Sequence, residues 1–113
     1  MHEVGIMTEA VRLAVESARA RGASRIYELR LRVGALSGAV PEALRFAFDA
    51  VTAGTIAQGA SLAIEAVPAV WWCRGCAAEF GAEGPLAQCP RCGAWSGELR
   101  AGRELDIASI EVS

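Results

Sequence analysis

Two stretches of the chain place apolar side chains at helical spacing. Residues 4–21 carry an apolar position every three or four residues with charges between them, and Gly22 follows as a suitable helix end. A second stretch starts near Pro41, a good first-turn residue, and stops at Gly54. The pattern predicts two amphipathic helices. Their predicted buried positions are Met7, Val11, Ala14 and Ala18, then Leu44, Ala47, Phe48 and Val51.

Three further stretches alternate between apolar and polar residues with the period of a β-strand. They cover residues 25–33, 61–67 and 104–112. The alternation slips by one position near Ala108, and a β-bulge is a natural interpretation of that slip. Each strand is predicted to bury one face. The inward positions are Tyr27, Leu29, Leu31 and Val33; Leu62, Ile64 and Ala66; and Leu105, Ile107, Ile110 and Val112.

Residues 70–103 break this regular pattern. They contain all four cysteines and all three tryptophans of the chain, and they show little apolar periodicity. The stretch has too few aliphatic residues to build a core of its own, so a small module of this kind needs a cross-link or a metal ion. The sequence predicts that these residues form a separate module.

The cysteines stand in two pairs with identical spacing, and they are the strongest chemical signal. Cys73 and Cys76 form one pair, and Cys89 and Cys92 form the other. Two intervening residues let one tight turn direct both thiolates at one ion, and two such turns complete the tetrahedron of a structural Zn(II) site. A pair of disulfides, a redox CxxC motif and an iron site are the alternatives. Glycines suited to the tight turns are Gly75 and Gly93.

Charge and composition limit the cellular compartment and the kinds of partner that are expected for this protein. The 113 residues carry a formal net charge of −2, so the strongly basic footprint of a nucleic-acid binder is missing. The length is typical of one domain, or of one domain with a small inserted module. The sequence contains neither an apolar run long enough to cross a membrane nor a signal peptide. These features predict a cytoplasmic protein, whose cysteines in a reducing compartment bind metal rather than each other.

The N-terminus offers a second candidate site. The chain begins Met1-His2-Glu3, and His2 is its only histidine. An α-amine, a backbone amide and an imidazole at position 2 can form fused chelate rings, a nitrogen-rich set that suits Ni(II) or Cu(II). Glu3 can add an oxygen or accept the imidazole N–H. The alternative interpretation of His2 is an ordinary surface residue.

Short segments spread over almost the whole chain resemble one known family. They are MHE at 1–3, GALSG at 34–38, PEALRFAF at 41–48, AQGA at 57–60, the two CxxC pairs, EL at 104–105 and SIEV at 109–112. As a set they resemble the HypA/HybF hydrogenase nickel-incorporation proteins. A paired CxxC motif alone is common to many families, whereas the MHE start with an inserted ribbon and an SIEV end is much more specific.

The resemblance implies an α+β fold in two parts. Residues 1–69 and 104–113 form a nickel-binding domain with a small mixed three-stranded sheet and two helices, and residues 70–103 form an inserted zinc-ribbon module. It implies that His2 binds Ni(II) with support from Glu3, beside the α-amine of Met1. It also implies that the four cysteines hold structural Zn(II). The implied ligands are Cys73, Cys76, Cys89 and Cys92 for zinc, and Met1, His2 and Glu3 for nickel.

The resemblance further implies a function and its partners. The family delivers Ni(II) to the precursor of the [NiFe] hydrogenase large subunit, working with a HypB-type GTPase. In some organisms its members also serve urease maturation. The resemblance thus implies a metallochaperone rather than an enzyme, without nucleic-acid or membrane partners.

Two other functions compete with nickel delivery. Zinc ribbons often bind nucleic acid, but residues 70–103 hold four arginines against three glutamates, too small an excess for a strong set of phosphate contacts. A protein–protein adaptor is the second alternative, since the tryptophans suit either interface anchors or the packing of a small module. Catalysis has little support, because one histidine leaves no nucleophile–base set outside the cysteines. The tryptophans in question are Trp71, Trp72 and Trp95.

Overall fold

The fold is α+β, with two helices and eight strands in the part of the chain that the structure describes. The computed structural model describes residues 2–83 and 86–113. The elements in chain order are α1 (Glu3–Ala20), β1 (Ile26–Gly34), α2 (Pro41–Thr52), β2 (Ser61–Val67), β3 (Val70–Cys73), β4 (Ala78–Gly81), β5 (Ala87–Gln88), β6 (Trp95–Ser96), β7 (Leu99–Ala101) and β8 (Leu105–Val112).

Helix α1 buries the stripe that its sequence predicts. Its C-terminus closes as a Schellman motif, in which the amide of Gly22 donates to the carbonyl of Arg19 and the amide of Ala23 to that of Ala18. Gly22 has a φ of 75°, which glycine adopts without steric cost. The predicted helix end is therefore confirmed. The buried residues are Met7, Ala10, Val11, Ala14 and Ala18.

Helix α2 packs against α1. Pro41 occupies its first turn, where a missing N–H costs nothing, and Gly54 with a φ of 78° follows its last residues. Leu44, Ala47 and Phe48 are buried as predicted, but Val51 is only half-buried. The fully buried position in the last turn is Thr52, whose hydroxyl donates to the Phe48 carbonyl at 2.8 Å and so needs no solvent. Neither helix in the described ranges is long and apolar enough to cross a membrane.

Strand β1 lies at the centre of a three-stranded sheet with the order β2–β1–β8. Leu29 and Leu31 are buried as predicted, while the intervening arginines are exposed. The prediction for Tyr27 was wrong, because its side chain is 53% exposed and Ile26 is buried instead. The amide of Ile26 donates to the carbonyl of Ile56, and the strand begins at Ile26, one residue later than predicted.

The two outer strands follow the predicted pattern less closely. Leu62 and Ile64 in β2 are half-buried, but Ala66 is exposed, so its predicted inward position was wrong. Strand β8 shows the predicted slip: Ile107 and Ile110 are half-buried and the two residues between them are both exposed. A strand that covers only one side of the core buries its side chains incompletely.

The chain divides into two compact units. The first contains Met1–Arg32, Gly38–Glu65 and Asp106–Ser113, and the second contains Val33–Ser37 and Ala66–Leu105. Both helices belong to the first unit, and all four cysteines and all three tryptophans belong to the second. The predicted domain limits of 1–69, 70–103 and 104–113 differ from these, because the second unit begins at Ala66, ends at Leu105 and also contains Val33–Ser37. The assignment of nickel and zinc roles to the two parts stays a prediction.

The second unit has its own small core, although its sequence suggested otherwise. Its strands form a three-stranded sheet with the order β4–β3–β7 and a two-stranded sheet of β5 and β6. Cysteines and aromatic residues replace the missing aliphatic side chains. The buried members of this core are Trp71, Cys73, Phe80, Ala87 and Cys89, with Leu36, Cys76, Ala82 and Leu99 packed against them.

Two glycines in the second unit allow its backbone segments to approach closely. A Cβ atom on Gly34 would lie 2.1 Å from the carbonyl oxygen of Gly102, a distance that no side chain tolerates. The amide of Gly34 donates to the Glu104 carbonyl, and the amide of Leu36 donates to that of Gly102, each at 2.7 Å. The short segment Val33–Ser37 is thereby held in the second unit.

Candidate metal centre

Two β-hairpins present the four cysteines. Strands β3 and β4 form the first, and Cys73 at the end of β3 pairs with Ala78 at the start of β4 across its turn. Strands β5 and β6 form the second, in which Gln88 pairs with Trp95. Each hairpin turn therefore carries one CxxC pair, as the spacing predicts.

The four sulfur atoms converge on one point. All of them lie within 4.8 Å of one another, and all four cysteines are free thiols. The sulfurs of Cys73 and Cys92 are 3.5 Å apart, and those of Cys76 and Cys89 are 3.9 Å apart. Zn–S bonds of about 2.3 Å place tetrahedral sulfurs roughly 3.8 Å apart. The set therefore fits a closed four-thiolate metal site.

Two of the thiols have pKa values shifted in opposite directions. Backbone amides of Cys92 and Arg91 donate to the Cys89 sulfur and lower the pKa of its thiol to about 6. Hydrogen bonding to the sulfurs of Cys92 and Cys89 raises the pKa of Cys76 to about 12. Four thiolates so close together repel one another, and a divalent cation removes that penalty by stabilising each of them.

The backbone of the two turns differs from the prediction at one glycine. Gly93 has a φ of 75°, as expected for a tight turn, but Gly75 is not in the left-handed region. In the first turn that conformation falls on Ala77, with a φ of 50°. Ala77 and Gly93 each follow the second cysteine of a pair, so they are equivalent positions. The position after the second cysteine of each pair, rather than a glycine between the cysteines, therefore adopts the left-handed conformation.

Hydrogen bonds tie the second turn to its neighbours. The amide of Gly93 donates to the Cys89 carbonyl at 2.9 Å, and the amide of Cys89 donates to the Ala94 carbonyl at 2.8 Å. The hydroxyl of Ser96 donates to the Trp72 carbonyl at 2.6 Å, which links the two hairpins. These bonds hold the turn that carries Cys89 and connect its hairpin to the other one. Ser96 is a supporting residue that no motif in the sequence marks.

The three tryptophans have three different environments. Trp71 is 3% exposed and belongs to the core. Trp72 is half-buried, and the guanidinium of Arg100 lies 4.5 Å from the centroid of its ring. Trp95 is 67% exposed. Packing therefore accounts for Trp71 and Trp72, and only Trp95 has the exposure of an interface anchor.

Two of the three N-terminal candidate ligands lie in the described part of the chain, and their environments differ. His2 is exposed and is the N-cap residue of α1, and its carbonyl accepts the amide of Ile6 at 3.1 Å. The Glu3 carboxylate accepts the backbone amide of Val40 at 3.1 Å, and this bond is the main cause that lowers its pKa. Met1 lies outside the described residues. Within residues 2–83 and 86–113, the four cysteines are the only cluster of three or more candidate metal ligands.

Fold and site together define a small α+β protein with a four-cysteine cluster that could hold a metal ion. A family model described as "Hydrogenase/urease nickel incorporation, metallochaperone, hypA" matches residues 1–112. The chain therefore belongs to the HypA family of nickel metallochaperones for hydrogenase and urease maturation. The family resemblance seen in the sequence is confirmed.

Relatives and solved structures agree with this assignment. Hydrogenase maturation factors HypA from Picosynechococcus sp. and Methylocella silvestris are 45% and 46% identical, with 99% of this chain and 99% of each relative covered. The solution structure of the Ni metallochaperone HypA from Helicobacter pylori matches with a TM-score of 0.68 at 20% identity, covering 99% of this chain and 97% of that one. At such identity the structural match concerns the fold, and it confirms the predicted α+β class.

Proposed function

We propose that this protein binds Ni(II) at its N-terminus and delivers it to the precursor of the [NiFe] hydrogenase large subunit. The observation that carries the proposal is the family match over residues 1–112, which includes the N-terminal MHE segment. The α-amine of Met1 and the imidazole of His2 are the proposed nickel ligands. Ni(II) is the cargo of the protein, so the site must release it as well as bind it.

The environment of His2 supports a site that releases its metal easily. An exposed N-cap residue can change conformation without disturbing a core. The carboxylate of Glu3 already accepts the Val40 amide and holds the first turn of α1 against the start of α2. We assign Glu3 the role of supporting the nickel site, because a side chain tied to the backbone positions its neighbours.

The four cysteines are proposed to hold structural Zn(II). Their sulfurs fit a tetrahedron, and four thiolates leave no open position for a substrate or water. Zinc would supply the cross-link that the small core of the second unit needs, with on the order of 10–16 kcal/mol of folding free energy. The proposed ligands are Cys73, Cys76, Cys89 and Cys92.

Family membership supports a proposal for the partners and the location. We propose that a HypB-type GTPase acts with this protein and that urease maturation factors are a second target in organisms with urease. We also propose that the protein works in the cytoplasm and has no enzymatic activity.

Helix α1 is the proposed contact for the GTPase. Arg12 on its exposed face bridges Glu9 and Glu16 at 2.6 and 2.9 Å. Charge reversal at Arg12 should therefore weaken a pull-down of the GTPase if α1 is the contact.

Metal stoichiometry of untagged protein tests the main proposal. We expect one zinc and one nickel per chain, and we expect His2→Ala to keep the zinc and lose the nickel. Val4→Ala is the matched control, since Val4 is 61% exposed in the same turn and offers no ligand. Equal nickel binding by the parent protein and His2→Ala would remove His2 from the site.

An N-terminal extension tests the α-amine separately. Residues added before Met1 move the amine away from His2 while leaving every side chain in place. We expect the extended protein to bind nickel more weakly and to retain its zinc. Unchanged nickel affinity would show that the amine is not a ligand.

The rival functions predict different observations. A nucleic-acid-binding ribbon would show salt-dependent retention of DNA or RNA. Among the ribbon arginines, Arg74 and Arg100 already pair with Glu98 at 3.2 and 2.8 Å, which reduces the charge available for phosphates. An adaptor without nickel delivery would use the exposed Trp95 and would bind its partner equally well with and without nickel.

A further inference from the structure

The four cysteines differ sharply in exposure. Cys73 is 3% exposed and Cys89 is 1% exposed, and both belong to the core of the second unit. Cys76 is half-buried, whereas Cys92 is exposed. A reagent that arrives from solvent therefore meets Cys92 before the others. Reactivity of cysteines toward oxidants depends on exposure and on thiolate character, and a metal-bound cysteine is a thiolate.

The exposed cysteine has a partner within reach. The sulfur of Cys92 lies 3.5 Å from the sulfur of Cys73, on the other hairpin. We propose that Cys92 is a peroxide-reactive thiolate and that Cys73 resolves it, so that oxidation by a peroxide forms a Cys73–Cys92 disulfide and releases the metal. This inference rests on the proposed zinc site and adds an oxidation site to it.

The chemistry balances with a peroxide as the oxidant. The Cys92 thiolate attacks one oxygen of hydrogen peroxide, the O–O bond breaks, and Cys92 becomes a sulfenic acid while hydroxide leaves. The Cys73 thiolate then attacks the Cys92 sulfur, the S–S bond forms and a second hydroxide leaves. Two thiolates have lost two electrons in total and the peroxide has gained them. The hydroxides take protons from water or buffer.

The consequence for the module follows from its core. Formation of the disulfide removes two of the four thiolates that hold the ion, and two remaining ligands do not retain zinc against solvent. Cys73 and Cys89 are themselves members of the small core of the second unit. Oxidation at one exposed residue would thus unfold the module that depends on the metal.

A glycine beside the sulfurs offers a way to shield them without touching a ligand. A Cβ atom on Gly75 would lie 3.9 Å from the sulfurs of both Cys73 and Cys92, which is ordinary van der Waals contact. Gly75 is not in the left-handed region, so alanine fits its backbone. Gly97 in the same unit has open space around it and also lies outside that region, which makes Gly97→Ala the matched control.

The experiment uses full-length, zinc-loaded protein and limiting hydrogen peroxide. A chromogenic chelator measures the zinc released, and a non-reduced tryptic digest identifies the disulfide by mass. Cleavage after Arg45, Arg74, Arg91 and Arg100 gives three peptides, with Cys73 in 46–74, Cys76 and Cys89 together in 75–91, and Cys92 in 92–100. We expect one zinc released for each 46–74/92–100 cross-link. Gly75→Ala should slow both signals several-fold, and Gly97→Ala should leave them unchanged.

Other outcomes would overturn the inference. A first disulfide that involves peptide 75–91, whether internal or to either of the other two peptides, would show that a different pair reacts. Equal rates for Gly75→Ala and Gly97→Ala would show that the proposed sulfurs are not the point of entry. If Gly75→Ala does not retain zinc, the peptide map of the parent protein decides alone. Absence of zinc before peroxide is added would instead contradict the zinc assignment itself.

Discussion

One residue in each hairpin turn has a left-handed backbone conformation, which glycine adopts more easily than other residues do. Ala77 and Gly93 occupy equivalent left-handed positions, with φ of 50° and 75°. A non-glycine residue there costs roughly 1–2 kcal/mol. We expect Gly93→Ala to lower the free energy of unfolding of the zinc-loaded protein by about 1 kcal/mol. Urea unfolding followed by tryptophan fluorescence measures it, because every tryptophan lies in the second unit.

The reverse change at the equivalent position should act in the opposite direction. Ala77→Gly relieves the steric cost but gives the unfolded chain more freedom, so a small gain of about 0.5 kcal/mol is expected. Gly97→Ala again serves as the control, with no neighbour within 4 Å. A loss of stability in Ala77→Gly would show that the alanine methyl group makes a contact worth more than its backbone strain.

Glu3 links the candidate nickel terminus to α2 through one hydrogen bond from Val40, and this bond lowers its pKa. A carboxyl group with a lowered pKa stabilises the fold above its unfolded pKa and loses that contribution as the pH falls through the folded value. The melting temperature of the parent protein should therefore exceed that of Glu3→Gln above about pH 5, and the difference should vanish in stronger acid. Helical circular dichroism measures it, with Glu65→Gln as the control. A difference that persists at low pH would exclude the charged hydrogen bond as its cause.

Helix α1 has one buried face and one exposed face. Met7 is fully buried, whereas Leu13 on the same helix is 45% exposed. Removing a buried methionine side chain leaves a cavity and costs about 3 kcal/mol. Met7→Ala should therefore lower the free energy of unfolding by that amount, while Leu13→Ala should cost less than about 1 kcal/mol. Urea titrations followed by helical circular dichroism give both values, and similar losses would contradict the assigned faces.

The helices were more predictable from sequence than the strands, and the reason is physical. A helix that packs on one side shows its buried face as a stripe with fixed spacing, and the α1 stripe was predicted correctly. A strand alternates on both sides, so its phase depends on where pairing begins. Tyr27 and Ala66 were predicted to be buried but are exposed, because the burial of a residue near a strand end depends on contacts distant in sequence.

The candidate site was predictable to the level of its ligands but not of its surroundings. The CxxC spacing predicts that four sulfurs converge, and the structure places them within 4.8 Å. Spacing carries no information on which sulfur faces solvent, since exposure depends on how two hairpins pack. The exposure of Cys92 and the contact of Glu3 with Val40 therefore emerged only from the structure.

At the scale of the whole molecule, the folding of each unit can be followed separately with spectroscopic signals that the chain itself provides. Both helices lie in the first unit, so helical circular dichroism reports on it. Trp71, Trp72 and Trp95 lie in the second unit, so tryptophan fluorescence reports on that one. The chain contains no other tryptophan. This separation allows the role of the metal to be tested in the intact protein.

Removal of zinc should separate the two signals. A strong chelator takes away on the order of 10–16 kcal/mol from a module that has only a small core, so the second unit should unfold. The first unit keeps a core of its own, including Met7, Leu29 and Leu44, and its helical signal should remain. We expect chelation to shift the tryptophan emission to longer wavelength while the circular dichroism of the helices persists, with chelator presaturated with zinc as the control. Simultaneous loss of both signals would instead mean that the two units fold as one cooperative structure, and the metal would then stabilise the proposed nickel terminus as well.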